Sequence, residues 1–126
     1  MGGILRTSQM NMQIGISERG NTTIVAPEGP RLDAEAAAAF KAALLDLIEG
    51  GKGNLVVNLN GVDFIDTAGL GALLSALKRL KQSGQEGDIR LAHVKPPVEA
   101  VLEIVRLHRV FTRYTSLEEA VQSYPA

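Results

Sequence analysis

The sequence contains no cysteine and no tryptophan, and aromatic residues make up only 4% of its 126 residues. The lack of cysteine excludes disulfides, thiolate metal sites and cysteine nucleophiles. Only His93 and His108 could supply imidazole ligands, so a zinc site would depend on carboxylates, and we predict no metal site. The scarcity of aromatic rings argues against the stacking platforms that bind single-stranded nucleic acid.

The sequence also has no excess of positive or negative charge that would favour an oppositely charged partner, and no long apolar run. Lys plus Arg number 13 and Asp plus Glu number 14, so no basic excess favours nucleic acid or an anionic membrane. No apolar stretch of about 18 residues predicts a membrane span, and the first residues lack the pattern of a signal peptide. We therefore expect a cytoplasmic protein with no nucleic-acid partner and no membrane insertion.

The chain is long enough for one domain with a single core, and 45% of its residues are hydrophobic. Residues 1–10 are mostly small or polar and are expected to form a flexible N-terminal tail before a domain over residues 11–124. Alternation over 12–19 and a β-branched run over 22–26 predict an antiparallel hairpin. Residues 54–59 form a second β-branched run, which predicts a central strand.

Helical spacing of apolar residues predicts a helix over 34–49, with Asp33 as its N-cap. It also predicts a second helix that begins around Asp66 and Thr67 and ends at about residue 81, and a third over 98–107, with a last helix opened by Ser116. Short strands are expected within 88–94 and 110–115. Phe64 and Ile65 are interpreted as a connector that anchors the chain to the core. The order of elements predicts an α/β protein whose sheet begins antiparallel and continues parallel.

The residues that enzymes use are poorly represented. No Ser/His/Asp arrangement, lysine-containing phosphate loop or GxGxxG motif follows a predicted strand, and the glycines of 50–53 end a helix instead of opening one. We therefore predict no catalytic activity and no cofactor.

The junction between the central strand and the second predicted helix carries the most informative residues. Asp66 and Thr67 lie at the start of that helix, where about four backbone N–H groups lack partners within the helix. Gly69 and Gly71 lack side chains, which would let another chain approach the backbone closely. A phosphate on the Thr67 hydroxyl would be stabilised there by N–H groups and the helix dipole. A simpler interpretation makes Asp66 or Thr67 the N-cap, and the two roles are compatible.

The run from Phe64 to Gly71, FIDTAGLG, resembles the signature of STAS domains, the anti-sigma factor antagonists of bacterial partner-switching systems. In that family a short strand leads into D-[ST]-[ST]-G-L and a helix. Residues 55–59 resemble the family's central strand, and residues 29–33 resemble its loop before the first helix. The resemblance implies a single-domain STAS-like sandwich, with a mixed β-sheet of four to five strands packed with about four helices.

The same resemblance implies a protein-binding switch. Such a protein binds an anti-sigma factor, typically a GHKL-type serine kinase, until the kinase phosphorylates the loop, and a PP2C-like phosphatase restores binding. Thr67 is then the phosphoacceptor. The implied partner-binding residues are Asp33, Asp66, Thr67, Ala68, Gly69 and Leu70.

One position departs from the family pattern, because Ala68 occupies the second hydroxyl position of the loop. Only Thr67 remains as an acceptor there. Two other interpretations therefore stay open: a STAS scaffold that is never phosphorylated, and a subunit of a regulatory or lipid-transport complex.

Overall fold

The computed structural model describes residues 13–125. The predicted tail over 1–10 and the predicted start of the first strand at Met12 lie outside the described residues. The elements are β1 (Ile14–Arg19), β2 (Thr22–Pro27), β3 (Arg31–Leu32), α1 (Ala34–Glu49), β4 (Asn54–Asn58), β5 (Phe64–Ile65), α2 (Thr67–Gln82), β6 (Asp88–Ala92), α3 (Pro96–Ile104), a 3₁₀ turn (Leu107–Arg109), β7 (Arg113–Tyr114) and α4 (Leu117–Gln122).

The main sheet has five strands in the order β1-β2-β4-β6-β7. β1 and β2 form an antiparallel hairpin in which Ile14 lies opposite Pro27 and Arg19 opposite Thr22. The pairs β2–β4, β4–β6 and β6–β7 are parallel. The predicted mixed sheet and the four helices are therefore confirmed.

The two faces of the sheet are covered unequally. Helices α1, α2 and α3 contribute to one large buried cluster with the sheet, through residues such as Phe40, Leu73 and Leu102. Helix α4 covers the other face with Ala120, and Tyr124, which follows the helix, belongs to the same buried cluster. Each connection β2–α1–β4, β4–α2–β6 and β6–α3–β7 joins parallel neighbours, so the three helices lie side by side on one face.

A second, two-stranded sheet was not predicted. β3 and β5 pair in parallel, with Arg31 opposite Phe64 and Leu32 opposite Ile65. The prediction that both connector residues anchor the core is right for Ile65, which is buried, and wrong for Phe64, whose side chain is 38% exposed. The alternation of a strand explains this, since neighbouring side chains point to opposite faces. The Arg31 guanidinium lies over the exposed Phe64 ring, 4.2 Å from its centroid.

Within residues 13–125, no helix is both long enough and apolar enough to cross a membrane.

Candidate functional site

At the junction between β5 and α2, Asp66 accepts hydrogen bonds from backbone N–H groups in the first turn of the helix. Asp66 is the N-cap of α2, and its Oδ1 accepts hydrogen bonds from the N–H groups of Ala68 at 2.9 Å and Gly69 at 3.2 Å. Its backbone carbonyl accepts from the N–H of Leu70 at 3.0 Å. The expectation that these amides are free for a phosphate is therefore wrong, because the Asp66 carboxylate already satisfies two of them.

Thr67 is the first residue of α2, and its side chain is exposed. Within residues 13–125 its hydroxyl makes no hydrogen bond, so no other described group holds it in one orientation. An exposed hydroxyl directly beside a carboxylate is accessible to an enzyme that approaches from solvent. The capping role thus belongs to Asp66, and the Thr67 hydroxyl has no hydrogen-bond partner among the described residues.

The pairing of β3 with β5, which was not predicted, places Asp33 in the same region. It is the N-cap of α1 and accepts from the Ala36 N–H at 3.3 Å. That hydrogen bond, with a lesser contribution from Arg31 at 3.4 Å, holds the pKa of the Asp33 carboxyl below its ordinary value. Leu32 and Ile65 are in register, so the residues that follow them, Asp33 and Asp66, begin two neighbouring helices at one place.

Gly69 and Leu70 do not belong to the exposed surface. Both are buried, and Leu70 is only 4% exposed. A Cβ on Gly69 would collide with the Leu32 carbonyl oxygen and would lie 2.8 Å from Ile65 Cγ1. The expectation that Gly69 opens the backbone to a partner is therefore wrong, since the glycine lets α2 pack against β3 and β5. Gly71 differs, because nothing lies within 4 Å of a Cβ placed there.

Two of the carboxylates at this end of the molecule have cations beside them. Asp63 pairs with Lys95 at 2.8 Å, and Asp33 lies near Arg31. Asp66 has no ion pair within residues 13–125, and its carboxylate is bound only by backbone amides. Because Thr67 follows Asp66 directly, additional negative charge at this position would be poorly compensated.

Neither a metal centre nor a catalytic constellation emerges from the described residues. Residues 13–125 hold no group of three or more side chains suited to a metal. The carboxyl edge of β4, β6 and β7 borders an open cavity, where Glu99 and Arg113 form an ion pair at 2.8 Å. Partial burial raises the pKa of Glu99 despite this arginine. The cavity lining includes His93, but no nucleophile is paired with a base there.

Comparison with known proteins agrees with this architecture. A family model described as the STAS domain matches residues 13–120. The chain belongs to the STAS domain family. An "Anti-sigma F factor antagonist" from Paenibacillus polymyxa is 27% identical over 106 residues, which cover 83% of this STAS domain protein and 88% of that relative.

Solved structures show the same fold. A "putative anti-sigma factor antagonist" from Thermotoga maritima superimposes with a TM-score of 0.80 at 27% identity, covering 87% of this STAS domain protein and 92% of that chain. The Bacillus cell fate determinant SpoIIAA in its phosphorylated form superimposes with a TM-score of 0.64 at 21% identity, covering 89% and 97% of the two chains. At that identity the second comparison shows the shared fold alone.

The assembly of the site was only partly visible in the sequence. Capping patterns pointed to Asp33 and Asp66 separately, but their adjacency depends on the pairing of β3 with β5. Strands of two residues show no period, so only the family resemblance grouped Asp33 with the residues of this loop.

Proposed function

We propose that this STAS domain protein is a cytoplasmic anti-sigma factor antagonist that binds an anti-sigma factor of the GHKL serine kinase type and is switched off by phosphorylation of Thr67. The observation that carries the proposal is the exposed Thr67 hydroxyl, which directly follows the Asp66 cap at the first position of α2. The antagonist names of the relatives support binding to an anti-sigma factor. The partner contacts that we retain are the accessible residues Asp33, Asp66, Thr67 and Ala68.

The switch follows from simple phosphoryl transfer. The kinase positions Thr67 Oγ1 in line with the γ-phosphorus of ATP, a new O–P bond forms, and the bond from that phosphorus to the β–γ bridging oxygen breaks. ADP leaves, and the hydroxyl proton passes to a base on the kinase. A PP2C-like phosphatase reverses the change by transferring the phosphoryl group to water, which restores the hydroxyl.

The phosphate acts by changing charge where compensation is lacking. Phosphothreonine carries about −1.5 to −2 charges at neutral pH. Asp66 already occupies the Ala68 and Gly69 amides, so a phosphate must compete with its carboxylate for the same donors. Repulsion from Asp66 and desolvation of the phosphate then oppose renewed docking, so the phosphorylated protein no longer binds the anti-sigma factor.

The proposal is tested with the anti-sigma factor kinases encoded by the bacterium of origin, each purified and titrated with this protein by calorimetry. We expect one of them to bind and, with ATP, to add one phosphate that mass spectrometry locates on Thr67. Thr67→Ser is the matched control that should still be labelled, whereas Thr67→Ala should bind without being labelled. Failure of every such kinase to bind would overturn the function, and label retained in Thr67→Ala would exclude the site.

Ala68 favours a second candidate, a STAS interaction module that is never phosphorylated. Its methyl side chain removes one of the two hydroxyl positions of the family loop. A module of this kind would retain the same partners in wild type and in Thr67→Glu when both are used as bait in parallel purifications. A switched antagonist would lose its anti-sigma factor in Thr67→Glu alone.

A further inference from the structure

The sequence contains the pair Asn-Gly once, at Asn60 and Gly61. The pair lies between β4 and β5, and both residues are exposed. They are the two central residues of a turn in which the Val62 N–H donates to the Leu59 carbonyl oxygen at 3.0 Å. The turn therefore presents an amide side chain and the next backbone nitrogen side by side to solvent.

Neither of these two groups is held by a hydrogen bond within residues 13–125. The Asn60 side chain has no hydrogen-bond partner there, and the Gly61 N–H has no acceptor, whereas the Asn60 N–H donates to Asn58 Oδ1 at 3.1 Å. Gly61 also has no side chain that could shield its nitrogen. The Asn60 side chain and the Gly61 nitrogen can therefore meet without losing a hydrogen bond of their own.

The other described asparagines lack this combination. Asn54 and Asn58 are half-buried in β4, and each is followed by a leucine, whose side chain crowds the backbone nitrogen. Asn21 is exposed, but it is followed by Thr22, which is branched at Cβ. Among the asparagines of residues 13–125, Asn60 thus combines exposure with an unshielded nitrogen after it.

We propose that Asn60 is a site of spontaneous deamidation through a cyclic imide. The deprotonated Gly61 nitrogen attacks Asn60 Cγ, a new N–C bond completes a five-membered succinimide ring, and the bond from Cγ to Nδ2 breaks. Nδ2 leaves as ammonia and takes up the equivalent of the proton that Gly61 lost. The step consumes no oxidant or reductant.

Hydrolysis of the imide gives two products. Water adds to one of the two ring carbonyl carbons, and the bond from that carbon to the Gly61 nitrogen breaks. Cleavage at Cγ yields aspartate at position 60. Cleavage at the backbone carbonyl yields isoaspartate, in which the main chain runs through Cβ and Cγ.

Both products place a new carboxylate beside the open cavity at the carboxyl edge of β4, β6 and β7, which Asn60 lines. Lys95 and Arg113 line the same cavity, and each already has a carboxylate partner, Asp63 and Glu99 respectively, at 2.8 Å. The modification also adds one negative charge to a chain whose formal net charge is −1 at pH 7. The product is therefore separable from the starting protein by its charge.

Isoaspartate changes the backbone as well as the charge. It lengthens the main chain by one carbon between β4 and β5. Shortly after this point, the N–H groups of Asp63 and Phe64 donate to the Pro30 carbonyl oxygen at 2.7 and 3.1 Å, beside the pairing of β3 with β5. We therefore expect the isoaspartyl form to unfold at a lower urea concentration than the unmodified protein.

The test incubates the folded protein at pH 6 and pH 8.5 and follows every asparagine by peptide mass spectrometry. Conversion at Asn60 should be at least tenfold faster than at each other asparagine. It should also be faster at pH 8.5, because the attack requires a deprotonated nitrogen. A protein isoaspartyl methyltransferase with labelled methyl donor detects the isoaspartyl product, and anion exchange separates the more acidic forms. An Asn60 that stays intact would overturn the proposal.

Gly61→Ala is the matched variant. A Cβ at Gly61 would make an ordinary contact, 3.5 Å from the Pro27 carbonyl oxygen, and Gly61 lies outside the left-handed backbone region, so the variant should fold like wild type. Its conversion at Asn60 should fall at least tenfold, since the methyl group shields the attacking nitrogen. Unchanged conversion in this variant would overturn the imide route.

The same measurement on the chain unfolded in urea separates the contribution of the turn from that of the Asn-Gly pair alone. Because the folded turn leaves both groups exposed and unbonded, conversion in the folded protein should stay within tenfold of the rate in urea. A folded protein that converts more slowly than this would show that the turn protects Asn60, and would overturn the proposal. None of these measurements involves an anti-sigma factor, so their outcome is independent of the proposed function.

Discussion

The carbonyl oxygen of Leu32 occupies the space that a Cβ on Gly69 would need, so that the small β3–β5 sheet and the first turn of α2 leave no room for a side chain. Gly69→Ala would force a methyl group into this contact and against Ile65. Overpacking of this kind costs about 1–3 kcal/mol. We expect a free energy of unfolding lower than that of wild type by this order, measured by urea denaturation.

Gly71 provides the matched control two residues later in the same helix. No atom lies within 4 Å of a Cβ placed there. Because alanine has a higher helix propensity than glycine, Gly71→Ala should stabilise the protein by up to about 1 kcal/mol. Equal effects of the two substitutions on unfolding would contradict the packing role assigned to Gly69.

Substitutions of Asp66 and of Thr67 should differ in their effects on the free energy of unfolding. Asp66→Ala removes the acceptor of two amide hydrogen bonds and should lower the free energy of unfolding by about 1 kcal/mol. Asp66→Asn keeps an oxygen acceptor and should lose less. Thr67→Ala changes an exposed side chain and should stay within about 0.5 kcal/mol of wild type. Chemical denaturation of the three variants tests whether Asp66 is the N-cap of α2. A larger loss of unfolding free energy in Thr67→Ala than in Asp66→Ala would assign the cap to Thr67.

The sequence patterns were sufficient for the regular parts of this fold. Period-two alternation, β-branched runs and capping residues located the main strands and α1, because each of these signals is local. The predicted cap at Asp33 is present for the same reason. Family resemblance then supplied the functional expectation, which local patterns do not contain.

Features that depend on distant pairing escaped prediction. The contact of β3 with β5 joins residues about 33 positions apart and has no periodic signature, because each strand has two residues. The burial of Gly69 and the exposure of Phe64 both follow from that contact. The competition of Asp66 for the helix amides was also missed, since a capping carboxylate and an open anion site have the same sequence pattern.

The Asp33 carboxyl should titrate at lower pH than an ordinary aspartate. The Ala36 N–H and the Arg31 guanidinium both favour its charged form, which lowers its pKa in the folded state. Its contribution to stability is therefore present above the pKa of the unfolded chain, about 3.9, and is lost as the pH falls through the lower folded value. Carboxyl ¹³C NMR measures the midpoint directly. In Arg31→Ala the midpoint should rise partway, while an unchanged midpoint would show that the arginine has no influence.

Tyr124 should make stability sensitive to alkaline pH. Its hydroxyl lies 2.7 Å from the carbonyl oxygens of Leu55 and Asp88, and burial raises its pKa above the ordinary value. The unfolded chain loses this proton near pH 10 while the folded protein keeps it, so the stability contributed below pH 10 declines as the pH rises.

Tyr124→Phe removes both the hydrogen bond and this titration. At pH 8 it should unfold more easily than wild type by about 1–2 kcal/mol, because two carbonyl groups lose their hydroxyl partner. Between pH 8 and 11 the difference should shrink by about 1.4 kcal/mol, since only wild type loses stability through this group. Urea denaturation of both proteins at pH 8, 10 and 11 measures the difference. A gap that stays constant over this range would show that the phenol ionises equally in the folded and unfolded states.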